Sequence, residues 1–165
     1  MPSELDFSAA SSDDPEAPAH DRIPVRSMQP GDLPAIVRID RHITGHDRHA
    51  CYARKLDEAM SESAVRVSLV ADVDGQVAGF IMARVDFGEF GHTEPEAVMD
   101  TIAVDPACGH TGVASALLSQ LMTNLGALRV ERVRTKVVWN QFDLLGFLSR
   151  QGFRPGQRLA LRREL

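Results

Sequence analysis

Apolar and polar positions recur along the chain with two periods, and these periods predict strands and helices. The clearest stretch is 97–125, which opens with an apolar run from Ala97 to Val104. That run predicts a strand, and Asp105-Pro106 ends it because proline has no N–H to donate to a neighbouring strand. After a glycine-containing turn comes a predicted helix, whose apolar residues recur every four positions on one face: Val113, Leu117, Leu121 and Leu125.

The chain before this stretch predicts three strands and two helices. The strands cover 23–28, 65–73 and 76–87, and the helices run from an N-cap at Asp32 and over 47–60. Core contacts of the first helix come from its apolar residues Leu33, Ile36, Val37 and Ile39. Asp74-Gly75 joins the last two strands. This dipeptide predicts a hairpin, because a type I′ turn requires positive φ at both positions.

The C-terminal part predicts a strand over 130–138, a helix over 141–150 and a last strand over 157–165. Asn140 is the predicted N-cap of that helix, and Gly152 the left-handed residue after its end. The predicted order is therefore β-α-α-β-β-β-α-β-α-β in one domain, 22–165. Residues 1–21 are acidic with few large apolar side chains, so we expect a disordered acidic tail.

Composition narrows the class of protein. The 165 residues suffice for one domain with a sizeable core, and no apolar run is long enough to span a membrane. A formal net charge of −5 argues against general nucleic-acid or membrane binding. Two cysteines make no disulfide framework, and no secretory signal is present, so we expect a reducing cytoplasmic location.

The turn between the core strand and its helix is a candidate anion site. The first turn of a helix has four N–H groups without intrahelical partners, and the helix dipole adds positive charge there. A pyrophosphate can therefore bind the amides of Gly109 to Ala114. No lysine follows Gly112, so this is not a Walker P-loop, and the spacing is not Gly-x-Gly-x-x-Gly. An ordinary strand–turn–helix, or another phosphate-binding α/β protein, remains an alternative.

Three histidines in eight residues raise the question of a metal site. His42, His46 and His49 have helical spacing, but Gly45 lies between them, and no glutamate is placed as in His-Glu-x-x-His. A solvated or pocket-lining helix is the better interpretation, and we expect no metal.

The core stretch resembles the acetyl-CoA motif of the GNAT superfamily of N-acetyltransferases. Val104-Asp105-Pro106 matches the end of the family's strand, and Gly112-x-Ala114 matches the end of its glycine turn. The strand, Asn140, helix and Gly152-Phe153 resemble the second family motif. Gly109 stands where the family has Gln or Arg, and Leu148 where it usually has a tyrosine.

The resemblance covers about 22–165 and implies an α/β (α+β) fold with a mixed, mostly antiparallel sheet and helices on both faces. It implies transfer of an acetyl group from acetyl-CoA to a small-molecule or protein amine, by direct attack in a ternary complex. Dimerisation is common in the family, so a homodimer is one expectation. The implied cofactor-binding residues are Ile102, Ala103, Val104, Gly109, His110, Thr111, Gly112, Val113, Ala114, Asn140 and Phe147.

Acetyl transfer to an amine requires a base, because deprotonating an ammonium of pKa about 10.4 at pH 7 costs roughly 4–5 kcal/mol. Asp100 is our first candidate. In a regular strand it shares a face with Ile102, and desolvation there raises the pKa of a carboxyl group. Glu96, Glu94 and His92 are the next candidates. The alternative for Asp100 is a structural acid paired with an arginine.

The acid that protonates the departing thiolate is less clear, because Leu148 has no proton to give. Tyr52 is one candidate from the other side of the cleft, and a thiolate can also leave unaided. Two other functions stay open. The chain could bind acyl-CoA as a sensor or interaction module with little transfer, or it could use a longer acyl chain.

Overall fold

A computed structural model describes residues 23–61, 66–87, 94–157 and 161–164. The strands are β1 (Val25–Ser27), β2 (Arg66–Val73), β3 (Gln76–Asp86), β4 (Glu96–Val104) and β5 (Arg132–Thr135). The helices are α1 (Leu33–Thr44), α2 (His49–Met60), α3 (Val113–Ala127) and α4 (Phe142–Arg150). Short 3₁₀ turns, Pro30–Asp32 and Pro106–Cys108, precede α1 and follow β4. The predicted tail 1–21 lies outside the described residues.

The five strands form one sheet in the order β1-β2-β3-β4-β5. The first four are antiparallel to their neighbours. Asp74 and Gly75 both have positive φ, at 51° and 77°, so the predicted hairpin between β2 and β3 is confirmed. The connection from β4 to β5 contains α3. Arg132 pairs with Glu94 and Arg134 with Glu96, so β5 runs parallel to β4. The sheet is therefore mixed and mostly antiparallel, as predicted.

Helices cover both faces of this sheet. On one face α1 and α2 pack on β2 and β3 around an apolar cluster that includes Ile36, Leu56 and Phe80. On the other face lies α3. The four apolar residues predicted for its inner face are all buried, each exposing 1% or less: Val113, Leu117, Leu121 and Leu125. Each of these helices buries the apolar residues of one side against a face of the sheet. This burial stabilises the segments as helices.

Gly79 lets α3 approach β3 closely. A Cβ at this position would lie 2.8 Å from Val113 Cγ1, 2.9 Å from the carbonyl oxygen of Ala103 and 3.2 Å from Leu117 Cδ1. No ordinary side chain fits within those distances. The N-terminal turn of α3 therefore sits directly against the sheet because residue 79 is a glycine.

Several predicted boundaries differ from the structure because local hydrogen bonds decide them. Asp32 precedes α1, but its carboxylate accepts from the N–H of Gln29 and from Arg26 rather than capping the helix. The second helix begins at His49 instead of residue 47, and β5 covers only four residues of the predicted 130–138. Gln141, not Asn140, is the N-cap of α4, and neither side chain caps it.

The end of α4 agrees with the prediction. Gly152 has a φ of 87°, its N–H donates to Ser149, and the N–H of Phe153 donates to Leu148. This is the Schellman arrangement that a glycine after a helix favours. Residues 161–164 contain no strand, so the predicted terminal strand is wrong there, and 158–160 lie outside the described residues.

The chain divides into two units, Met1–Arg134 and Thr135–Leu165. The first contains α1 to α3 and almost all of the sheet, and the second contains α4. The single domain over 22–165 stays a prediction. No described helix is long and apolar enough to cross a membrane.

Candidate active site

The turn after β4 is held in shape by its own backbone. The N–H of Asp105 donates to the carbonyl of Ala78 at 2.7 Å, which ties the start of the turn to β3. Its buried carboxylate accepts from the N–H of Ala107 at 3.1 Å, and its carbonyl accepts from Cys108 at 2.8 Å. The turn therefore has a fixed geometry before any ligand binds.

Five consecutive amides at the end of this turn have no backbone acceptor. The first hydrogen bond of α3 runs from Ala116 N–H to the carbonyl of Gly112, and within the described turn the amides of 110–114 donate to no carbonyl group. His110 and Gly112 have positive φ, at 61° and 87°. The amide of Gly109 was also expected to be available. It donates instead to the carbonyl of Pro106 at 3.3 Å, because Pro106–Cys108 forms a 3₁₀ turn.

The second half of β4 is open on the side away from β3. Two ion pairs, Arg132–Glu94 at 3.0 Å and Arg134–Glu96 at 2.8 Å, place β5 beside the first half of β4. Because β5 has only four residues, no described strand adjoins Thr101–Val104 on that side. These four residues are half-buried, whereas Ala97–Met99 are buried. Backbone groups of Ile102, Ala103 and Val104 are thus available to a ligand that lies along the strand.

The bulge in β4 changes the expectation for Asp100. Met82 pairs with Thr101 and Ala83 with Met99, so Asp100 is an extra residue without a partner on β3. Its side chain is 26% exposed, and it accepts a hydrogen bond from Arg84 Nη1 at 2.5 Å. The strand is not regular here, and Asp100 is not desolvated as expected. This Asp100–Arg84 pair matches the structural alternative, while the role of Asp100 as base stays a prediction.

The other predicted acids also lie against arginines. Arg134 Nε donates to Glu96, which is 37% exposed, and Arg134 also approaches Asp86 at 3.5 Å. Glu94 is more exposed and pairs with Arg132. Four described acids at this end of the sheet thus share three arginines, so each acid has an arginine partner. His92 lies outside the described residues.

A polar cluster between α1 and α2 joins the buried Asp40 and Tyr52 to the exposed Arg48. Both carboxylate oxygens of Asp40 accept hydrogen bonds from Arg48, and the Tyr52 hydroxyl donates to Asp40 at 3.0 Å. The hydrogen bonds from Arg48 hold the pKa of Asp40 below its usual value. Burial, and then the bond to Asp40, raises the pKa of Tyr52. The Tyr52 hydroxyl is thus bound to Asp40 in the core, while the role of Tyr52 as acid stays a prediction.

The histidines predicted to line a pocket lie apart from one another. His42 Nδ1 lies 3.6 Å from Asp105, and Arg38 approaches the same carboxylate at 3.9 Å, so α1 contacts the start of the turn. His46 is exposed between the helices, and His49 begins α2. Among the described residues, no three His, Cys, Asp or Glu side chains are grouped as a metal ion would need.

The second unit holds the remaining predicted site residues. Asn140 is exposed in the turn before α4, and Phe147 is half-buried on that helix. Leu148, at the position where the resemblance leads one to expect tyrosine, is buried with 3% exposure. Cofactor binding by Asn140 and Phe147 stays a prediction.

The sequence that forms this open strand and its turn of free amides matches the model of a known family. The model of the acetyltransferase (GNAT) family matches residues 33–153. The chain belongs to the GNAT family. It is therefore an acetyl-CoA-dependent N-acetyltransferase, as the sequence predicted. No curated protein matches the chain significantly in sequence.

Solved structures share this GNAT fold at low sequence identity. A transcriptional regulator from Bacillus halodurans C-125 is 15% identical with a TM-score of 0.75, over 87% of this chain and 99% of its own. The aminoglycoside 6′-N-acetyltransferase AAC(6′)-Ig from Acinetobacter haemolyticus is 17% identical with a TM-score of 0.72, over 86% and 98%. AAC(6′)-Iy, solved with CoA, is 17% identical with a TM-score of 0.73, over 86% and 94%. At these identities the likeness shows the fold alone.

Sequence reasoning missed two polar residues of this GNAT chain, Asp40 on α1 and Lys55 on α2. Asp40 and Arg48 are eight residues apart across the break at Gly45, and no local pattern links them. Lys55 Nζ donates to Thr101 Oγ1 at 3.2 Å, beside the bulge of β4. One signal was available for Lys55: it follows Tyr52 by three positions and so shares its helix face.

Proposed function

We propose that this chain moves an acetyl group from acetyl-CoA to a primary amine by direct attack in a ternary complex. The observation that supports this best is the row of five free amides directly after the open half of β4. In this arrangement the pyrophosphate binds the amides of 110–114, and the pantetheine arm lies along Ile102–Val104 in place of a strand. The thioester carbonyl then lies near the same backbone, whose N–H groups suit an oxyanion.

The chemical step needs no covalent enzyme intermediate. The neutral amine attacks the thioester carbonyl, a C–N bond forms, the C–S bond breaks, and the proton lost by the amine ends in solvent or on CoA. Asp100 or Glu96 accepts that proton, directly or through water. A thiol ionises at a pKa of about 8.5, so CoA can leave as a thiolate near neutral pH. Protonation of the leaving group by a tyrosine is therefore dispensable, and Leu148 does not prevent turnover.

The fold fits a small amine acceptor on the α1–α2 face of β4. Proteins of the same fold include aminoglycoside N-acetyltransferases, so aminoglycosides belong in the first acceptor panel. A second function stays open because Leu148 is buried and Tyr52 is bound to Asp40. The chain could then bind acyl-CoA as a sensor with little transfer. The two functions are distinguished by the rate at which acetyl-CoA is consumed in the presence of a panel of amines. A transferase consumes it faster than hydrolysis alone does, and a sensor does not.

The binding site can be tested by placing a carboxylate in it. Gly112→Glu introduces the charge at the turn, but the φ of 87° penalises any side chain there. Ala114→Glu is the sharper variant, because an acid in the first turn of a helix is favourable while it repels a phosphate. Two like charges about 4 Å apart cost roughly 1–4 kcal/mol at a surface, so we expect acetyl-CoA affinity to fall about 10-fold or more.

Calorimetric titration with acetyl-CoA measures this effect, with ATP and NAD as comparison ligands. Gly126→Glu is the matched control: it adds the same charge near the far end of α3, where a Cβ meets nothing within 4 Å. We expect this control to bind as the wild type does. Equal affinities for Ala114→Glu and Gly126→Glu would place the pyrophosphate elsewhere.

A further inference from the structure

The amine of Lys55 is a cation without a carboxylate partner at the acceptor side of β4. It lies on α2 and donates to Thr101 Oγ1 at 3.2 Å, while its Nζ lies 5.8 Å from the centre of the Tyr52 ring. Among the described residues, no carboxylate lies within ion-pair distance of this Nζ. An ammonium group has three donors, so two remain for a ligand.

The arginines next to Lys55 do not share this property. Arg48, which also lies over the Tyr52 ring, is bound to Asp40. Arg84 is bound to Asp100, the residue before Thr101. Asp40 is close enough to attract Lys55 at longer range, but both its oxygens are occupied by Arg48 and Tyr52. Lys55 is therefore the cation of these three whose charged group contacts no described carboxylate.

Thr101 immediately precedes Ile102, the first of the three residues proposed to hold the thioester end of acetyl-CoA. A group bound by Lys55 would therefore lie within a few ångströms of the acyl carbon. A polycationic acceptor gains nothing from this arrangement, because the nearby acids Asp40 and Asp100 are already paired. An anion on the acceptor would instead find a free donor.

We propose that Lys55 selects an acceptor amine that also carries a carboxylate, as an amino acid does. The single positive charge of Lys55 matches the single negative charge of a carboxylate better than the −1.5 to −2 of a phosphate monoester. Two N–H groups of Lys55 bind the carboxylate oxygens, and this fixes the amine beside the thioester. The inference rests on the proposed acetyl transfer and names its class of acceptor.

Matched amines test the proposal. Acetyl transfer is measured for L-lysine against cadaverine and for L-ornithine against putrescine, pairs that differ only in the carboxylate. An aminoglycoside serves as the polycationic acceptor and phosphoethanolamine as the phosphate-bearing one. We expect wild-type kcat/KM to favour the carboxylate-bearing member of each pair by about 10-fold or more, the effect of one hydrogen bond to a charged group.

Variants of the two lysines in the sequence locate the effect. Lys55→Met should raise the KM of carboxylate-bearing acceptors about 10-fold while leaving the KM of acetyl-CoA and of cadaverine unchanged. Lys55→Glu should reverse the preference within each pair. Lys136→Met, in the exposed residue just after β5, should change none of these values.

Outcomes that overturn the inference differ from those that overturn acetyl transfer. Equal use of both members of a pair, a preference for the aminoglycoside or for phosphoethanolamine, or an unchanged preference in Lys55→Met would each refute the role of Lys55 and leave the transferase intact. No product with any amine, together with no binding of acetyl-CoA, would remove the proposed function and this inference with it.

Discussion

Asp100 illustrates how one extra residue in a strand changes the chemistry of a side chain. The bulge leaves it without a partner on β3, and its carboxylate lies in partial contact with solvent against Arg84. Hydrogen bonding to Asp100 raises the pKa of that guanidinium.

If Asp100 is the base, Asp100→Asn should lower kcat/KM about 100-fold or more, because a positioned base contributes roughly 10²–10⁴-fold. The acidic limb of the pH–rate profile should disappear, while acetyl-CoA affinity stays unchanged. Asp86→Asn is the matched control, since Asp86 also lies against Arg84, at 3.4 Å, but outside β4. If Glu96→Gln removes the acidic limb and Asp100→Asn does not, the base is Glu96.

The exposure of Asp100 could not have been predicted from the sequence. Alternation along a strand assigns each residue to a face, and a bulge shifts that assignment by one for every residue beyond it. The apolar run 97–104 contains no glycine to mark the bulge. The free amides at Gly112 to Ala114 were predictable, because they follow from the position of the helix start alone.

At the scale of elements, Asp40 connects α1 to α2. It lies on α1, while Arg48 and Tyr52 lie at the start and in the first half of α2, and Tyr52 packs edge-on against Phe80 of β3. The break at Gly45, with a φ of 73°, allows the two helices to meet at this carboxylate. This contact fixes α2 against α1, and so it positions Lys55, which donates to Thr101 of β4.

Asp40→Asn should lower the free energy of unfolding at pH 7 by about 1–3 kcal/mol, because it removes a buried, hydrogen-bonded charge. Arg48 lowers the folded-state pKa of Asp40, so its contribution is complete above the unfolded pKa of about 3.9. It is lost as the pH falls through the lower folded value. Urea unfolding from pH 7 to pH 2.5 should therefore show the stability of wild type and variant converging below about pH 4.

Asp57→Asn, on the exposed side of α2, is the control and should leave stability within about 0.5 kcal/mol at every pH. A constant difference between wild type and Asp40→Asn down to the acid end would mean that Asp40 is not ionised in the folded protein.

Most elements could be predicted from the sequence: helical periodicity predicted α3, and Asp74-Gly75 predicted the hairpin. Side-chain N-caps could not be predicted, because Asp32 bonds to Arg26 and Gln29 instead, and α4 begins one residue later than Asn140 requires.

Within the part of the chain that the structure describes, the sheet is incomplete beside the second half of β4. The shortness of β5 is the cause, and it could not be predicted, because apolar residues recur as far as Val138. Backbone groups of Thr101–Val104 on that side are left to water or to a ligand. A ligand that binds there binds only the folded chain, and so it should stabilise the fold.

Acetyl-CoA at 100 times its Kd should add about 2.7 kcal/mol to the free energy of unfolding. For a chain of this size that corresponds to a rise in Tm of roughly 5–10 °C, measured by thermal melting. Ala114→Glu should lose most of the rise and Gly126→Glu should keep it. The same rise in both variants would show that the ligand stabilises the protein from another site.

The crowding at Gly79 has a consequence for how this protein can change over generations. Residue 79 touches no ligand, yet the free amides stand at the start of α3, and that start rests on Gly79 through Val113. A methyl group added there would push the helix away from the sheet and carry the amides with it. Selection for a different cofactor affinity could therefore act on a hidden position in β3, while every residue of the binding turn keeps its identity.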